Sequence, residues 1–134
     1  MITPEAYLGI PWVKGGNTRV GVDCWGLTVM GLREMYGVKL KIYEGSKADG
    51  RDLANIITQE TAGQDFTKIS RPKGGDIVTM SDEFPSHIGL CVGAGHILHT
   101  MEGRGVDITP IRALERIFRK VEFYRYVGDN NSSK

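Results

Sequence analysis

The heptapeptide GVDCWGL at residues 21–27 sets Cys24 between an acid and a tryptophan. The only other cysteine is Cys91, and the three histidines are His87, His96 and His99. A thiol with an imidazole beside it is the smallest set able to attack an acyl carbon: the imidazole takes the thiol proton, and a third polar group fixes the ring's orientation and tautomer. Residue type alone leaves two readings of Cys24. A lone free cysteine is ordinarily a small buried group with no chemistry. At the start of a helix, however, it faces backbone N–H groups that have no intrahelical acceptor, and with the helix dipole these favour the thiolate and lower its pKa. Cys91, flanked by Leu90 and Val92, fits the first description.

The histidines are sorted by the hairpin they flank. HIGLCV (87–92) and HILHT (96–100) read as strands joined by Gly93-Ala94-Gly95. A three-residue loop pairs Val92 with His96, Gly89 with His99 and His87 with Met101. Odd-numbered side chains then share one face, and His87 and His99 form a diagonal pair with Cβ atoms roughly 7–8 Å apart. His96 falls on the other face, and a slip of one residue would exchange the two faces. Two polar residues on a half-exposed sheet face is the other reading of this pair. A His/His/Cys metal site is weaker, because nothing else in the chain supplies a further ligand; no metal or other cofactor is expected.

The elements that must position these groups follow from the pattern. Thr3-Pro4-Glu5 is a helix start with Thr3 as cap, cut short by Gly9 and Pro11. The KGGN turn (14–17) leads to a helix over 24–36, with Asp23 at its N-terminus and Gly37 as terminator. Residues 50–62 carry a weaker amphipathic helical pattern. After the PKGG turn at 72–75 the period shifts to strands: 76–80, 87–92, 96–100, 106–109 and 120–127, with a helical turn at 111–118. The expectation is an α+β fold, N-terminal helices packed on a mostly antiparallel sheet, in a single domain over 1–128 with a polar tail at 129–134.

The totals exclude other classes. Seventeen basic and 16 acidic residues give a formal charge of +1, without the basic footprint of a nucleic-acid binder. No run of about 18 apolar residues exists to span a membrane, and MITPEAYLGI lacks the pattern of a secretory signal. Eighteen glycines in 134 residues favour many tight turns over a helical bundle. A Cys24–Cys91 disulfide, which would silence the thiol, is not expected.

PWVKGG (11–16), DCWGL (23–27), GDIV (75–78), HIGLCVG (87–93) and HILHT (96–100) together resemble the NlpC-type cell-wall cysteine peptidases, in order and in spacing, over nearly the whole chain. The resemblance implies a papain-like α+β fold, with Cys24 as nucleophile, His87 as general base and His99 as the orienting residue. Asp23 matches an acid that lies near the free amine of the peptide in such proteins, although an ordinary helix cap accounts for it equally well. Two positions depart from the family pattern. Many members have Pro-Tyr where this chain has Pro11-Trp12, and that hydroxyl helps to stabilise the oxyanion; an indole N–H is the available donor here. Many also have serine where this chain has Trp25. Trp12 and Trp25, with Tyr7, are candidates to line a substrate pocket, against the plainer reading of core aromatics.

The implied reaction is hydrolysis of an amide in peptidoglycan stem peptides, the bond between D-γ-glutamate and the diamino acid being the expected one. Pro-Trp, GVDCWGL and the closing FYRY (123–126) look most like members from tailed phages, which implies a tail-associated hydrolase in the virion, or in the host cytoplasm during assembly, with other tail-tip proteins as partners. The rivals are a non-enzymatic tail-tip assembly protein on the same fold, and an amidase or acyltransferase acting on another bond.

Overall fold

The computed structural model of the chain describes residues 2–40, 66–82 and 85–128, the side chains of 85 and 86 aside. The start at Thr3 yields a single 3-10 turn, Pro4–Tyr7, and the Thr3 side chain makes no capping bond. A small hairpin of β1 (Asn17–Thr18) and β2 (Gly21–Val22) leads into helix α1 (Cys24–Tyr36). Asp23 caps α1 through its carboxylate, and Gly37, at φ 70°, ends it in the left-handed conformation that glycine tolerates. The helix expected over 50–62 lies outside the described residues.

Strands β3 (Phe66–Ile69), β4 (Ile77–Ser81), β5 (Pro85–Cys91), β6 (His96–Met101) and β7 (Gly105–Pro110) come next, then helix α2 (Ile111–Ile117) and strand β8 (Lys120–Tyr126). They form one sheet in the order β3-β8-β4-β5-β6-β7, antiparallel at every pairing. The α+β architecture expected from the sequence is therefore the one observed. Neither β3 nor the β1–β2 hairpin was legible in the pattern. The segment Phe66–Ile69 has two exposed residues in four, and its strand character comes from pairing with β8, Phe66 opposite Tyr126.

Both faces of the sheet are covered, which is why β4 and β5 read as near-continuous apolar runs rather than alternating ones. Ile77, Ile88, Leu90 and Leu98 pack with Trp25, Leu27 and Met30 under α1. Val78, Met80, Cys91, Ile97 and Phe123 pack on the opposite face with Leu114 of α2. Cys91 thus belongs to a different core from Cys24, not to a shared helix–sheet interface, and both thiols are free.

Three glycines mark close approaches around α1. A Cβ on Gly31 would lie 2.7 Å from Leu90 Cδ2, the movable end of a side chain, so this contact with β5 can adjust. One on Gly26 would fall 2.0 Å from the carbonyl oxygen of Gly16, and one on Gly16 would fall 2.5 Å from that of Gly21. The turn before α1 is therefore pressed onto the first turn of the helix, backbone against backbone. Gly26→Ala should destabilise the fold by about 3 kcal/mol, the upper end of the overpacking range, because carbonyl groups cannot rotate aside. Urea unfolding measures this; a midpoint within error of wild type would contradict the packing.

Candidate active site

Asp23 organises the start of α1. One carboxylate oxygen accepts the Gly26 N–H at 2.7 Å, the other accepts the Gly15 N–H at 3.2 Å, and the Asp23 N–H donates to the Gly16 carbonyl at 3.0 Å. The Leu27 N–H goes to the Asp23 carbonyl at 2.9 Å. With Gly26 and Leu27 served in this way, the other early amides of the helix turn to the Cys24 sulfur, where those of Trp25 and Cys24 itself both act. Burial raises the Asp23 pKa, and the amides of Gly26 and Gly15 oppose the rise.

The strongest polar contact of the sulfur comes from across the structure, from the backbone N–H of Ile88 on β5. The direction of that N–H tells on which side of β5 the sulfur is held. The Cys91 N–H donates to the Asp76 carbonyl on the β4 side, and amides three apart along a strand point to opposite sides. The Ile88 N–H therefore points toward β6. The β5–β6 ladder consists of Leu90↔Leu98 and Cys91↔Ile97 among the described residues, so Cys24 takes an amide lying beyond the end of that ladder. Cys24 is 5% exposed.

His87, next in sequence to Ile88, projects to the other face. Its Nε2 lies 2.9 Å from Nδ1 of His99, with the rings edge-to-face at 69° and centroids 5.2 Å apart. The rings meet because Gly89 sits between them; a Cβ there would lie 3.2 Å from His99 Cβ and 2.6 Å from Ile97 Cγ2. Phe118, after α2, stacks on His87 at 5.9 Å and 20°. His99 Nε2 lies 2.9 Å from the Thr109 hydroxyl.

Burial governs the protonation of the pair. It pushes the Cys24 thiol up to about 12, with the Asp23 carboxylate adding to the rise and the Ile88 amide opposing it. Burial lowers His87 to about 3, and His99 adds to the fall. His99 is also lowered, first by burial and then by Arg104, against the opposing charge of Asp107. The expectation that a helix start lowers the thiol pKa is thus reversed in the free protein: desolvation outweighs the amides, and thiol and imidazole rest neutral.

A family model described as the NlpC/P60 family matches residues 9–121. The chain belongs to the NlpC/P60 family. A probable endopeptidase NlpC homolog of Haemophilus influenzae is 27% identical over 105 residues, 78% of this chain and 49% of that protein. A gamma-D-glutamyl-L-lysine dipeptidyl-peptidase of Bacillus subtilis is 26% identical over 123 residues, 88% of this chain and 36% of that protein. A murein DD-endopeptidase MepS/murein LD-carboxypeptidase of Escherichia coli is 21% identical over 103 residues, 77% of this chain and 48% of that protein. The chain spans less than half the length of each of these relatives. The NlpC/p60 domain of the peptidoglycan hydrolase SagA superposes with a TM-score of 0.63 at 21% identity, covering 92% of both chains. The fold is the papain-like α+β fold of this family.

The structure puts His87 and His99 in direct contact, and it sets the Cys24 sulfur on the amide of Ile88, the residue that follows His87. Trp12 is half-buried, bridged to Val22, and lines an open cleft of about 360 Å³ with Ile10, Arg104 and Gly105. Trp25 does not join it. At 3% exposure Trp25 packs in the core under α1, and Tyr7 is fully buried with its hydroxyl donating to Glu34 at 2.7 Å. A pocket shared by the three aromatics is therefore corrected to Trp12 alone, because the NlpC/P60 helix carries Trp25 inward. Thr109 was missed. Continuing the strand-parity reasoning through the next hairpin would have found it, since β7 pairs with β6 with His99 opposite Asp107 and Ile97 opposite Thr109.

With the thiol near 12, thiolate is scarce throughout the neutral range. Alkylation of Cys24 by iodoacetamide, scored by peptide mapping apart from Cys91, should therefore speed up about tenfold per pH unit from about pH 6 to 9. A plateau there would indicate a resting thiolate–imidazolium pair. For stability, the unfolded chain protonates His87 near its ordinary 6.5 and the folded chain only near 3. The fold is then favoured above that window and loses the benefit as pH falls through it. The thermal midpoint should drop between about pH 6.5 and 4, and one that rises would contradict the buried neutral ring.

Proposed function

We propose that the chain is a cysteine peptidase hydrolysing an amide bond in peptidoglycan stem peptides. The observation that carries this reading is the Cys24 sulfur held on the amide of Ile88, the residue next in sequence to His87, whose Nε2 is already bonded to His99. That leaves Nδ1 as the nitrogen for the thiol proton. Family membership and the names of the relatives, endopeptidase and gamma-D-glutamyl-L-lysine dipeptidyl-peptidase among them, support the substrate class.

In the reaction, the Cys24 sulfur bonds to the carbonyl carbon as its proton passes to His87 Nδ1. A resting neutral pair requires the proton to move with the attack rather than before it. The Cys24 backbone N–H donates to the developing oxyanion, and the indole N–H of Trp12 is the second donor. Collapse breaks the C–N bond, with His87 returning its proton to the leaving amine. Water, deprotonated by His87, then attacks the thioester and releases the carboxylate and the thiol. His99 holds the His87 ring in place throughout.

The bond cut is the one between D-γ-glutamate and the diamino acid, with Asp23 near the peptide's free amine in addition to its capping role. The protein acts at the phage tail, a reading supported by Pro11-Trp12, GVDCWGL and FYRY.

Purified protein and its Cys24→Ala variant, incubated with peptidoglycan and analysed by mass spectrometry of the released fragments, test the reaction. Cleavage at one stem-peptide amide by wild type, lost in the variant, is the expected result. No cleavage by a folded, reduced protein would overturn the reading in favour of a tail-tip assembly protein.

A further inference from the structure

The three residues His87, His99 and Thr109 lie on one straight diagonal across three strands. Extending the β5–β6 register past its last pair gives this placement, and the His87–His99 contact agrees with it. In β5–β6 the paired numbers sum to 188, as in Leu90↔Leu98 and Cys91↔Ile97. In β6–β7 they sum to 206, as in His99↔Asp107 and Ile97↔Thr109. Projected onto β6, His87 falls at position 101, His99 is at 99 and Thr109 falls at 97. Each step moves two residues in the same direction, so all three side chains share a face, and each touches the next at 2.9 Å.

Such a chain has two proton arrangements. In one, His87 Nε2–H donates to His99 Nδ1 and His99 Nε2–H donates to the Thr109 oxygen, leaving His87 Nδ1 bare. In the other, the Thr109 hydroxyl donates to His99 Nε2 and His99 Nδ1–H donates to His87 Nε2, so that His87 carries its proton on Nδ1. Only the first can accept a proton from Cys24. His87 and His99 are 8% and 4% exposed, so bulk water does not reset their protons freely. Thr109 is half-buried and lines a cavity of about 160 Å³ with His99, Met101, Arg104 and Asp107. A hydroxyl that accepts from His99 can direct its own hydrogen into that polar-rimmed space, which satisfies the first arrangement at its outer end.

We propose that Thr109 is a positioning residue that sets the tautomer of His87 through His99, by accepting the His99 Nε2–H. The assignment rests on His87 being the base in the proposed hydrolysis. Valine at 109 keeps the shape and the β-branch but cannot accept. A buried N–H facing a methyl is worse tolerated than a bare ring nitrogen, so Thr109→Val should move the His99 proton to Nδ1 and the His87 proton from Nε2 to Nδ1. Thr109→Ser restores the acceptor.

The test combines two readouts on the full chain. Long-range proton–nitrogen NMR of protein labelled at histidine nitrogens, with His96→Gln removing the third ring, reads each tautomer directly. The expected result is a bare His87 Nδ1 in wild type and Thr109→Ser, and a protonated one in folded Thr109→Val. On peptidoglycan fragments, kcat should fall about 100-fold in Thr109→Val with KM unchanged, and recover in Thr109→Ser. A wild-type His87 already protonated on Nδ1, a tautomer unmoved by valine, or a serine variant no better than valine would each overturn the assignment. The spectrum needs no turnover, so a wild type that fails to cleave refutes the hydrolase reading and leaves the tautomer assignment to be decided by NMR.

Discussion

The close seating of α1 is the constraint on which the site depends. Glycine at 26 lets the helix approach the preceding turn more closely than any Cβ would permit. Asp23 ties the two sides of that contact together by accepting amides from both. Only at this approach does the Cys24 sulfur reach the Ile88 amide, beyond the last β5–β6 pair. The thiol enters from the face covered by α1, and His87 and His99 belong to the face covered by α2. His87 directly precedes Ile88, whose amide holds the thiol where the ladder stops.

Burial then sets the electrical state of the site. A half-exposed thiol at a helix start would be drawn toward thiolate by the amides around it. At 5% exposure the loss of solvent prevails, and the histidines, equally enclosed, remain uncharged. A neutral resting pair is protected from adventitious oxidation and alkylation, because the thiolate is the reactive form. The same enclosure makes the hydrogen-bond direction along His87, His99 and Thr109 consequential, since water is not at hand to correct an unfavourable tautomer.

Local features of this site were legible in the sequence where local chemistry decided them. Asp23 as cap, α1 over 24–36 and Gly37 as its end follow from propensity and capping alone, and they stand as read. The diagonal placement of His87 and His99 followed from a three-residue loop and strand parity, both of them short-range. Trp25 was not legible: its type states a large aromatic, and only the roll of α1 on the sheet decides that it faces the core. The thiol pKa was misread for a related reason, because a helix start is visible in sequence while the depth of its burial is a property of the packed whole. Strand β3 owes its character to a partner more than fifty residues away, and β1 and β2 are two residues each. Thr109 was within reach of the same parity reasoning but required one more hairpin.

The claim that Cys24 is the group that attacks is tested most directly by trapping what it forms. A stem peptide containing the D-γ-glutamyl–diamino acid bond is mixed with the protein, quenched in acid within milliseconds to seconds, and the intact protein is weighed by mass spectrometry. The account predicts a transient adduct of the acyl half of the peptide, mapped to Cys24, discharged by hydroxylamine as a thioester should be, and absent from Cys24→Ala. Cleavage of the peptide with no adduct, and at an undiminished rate in Cys24→Ala, would contradict it.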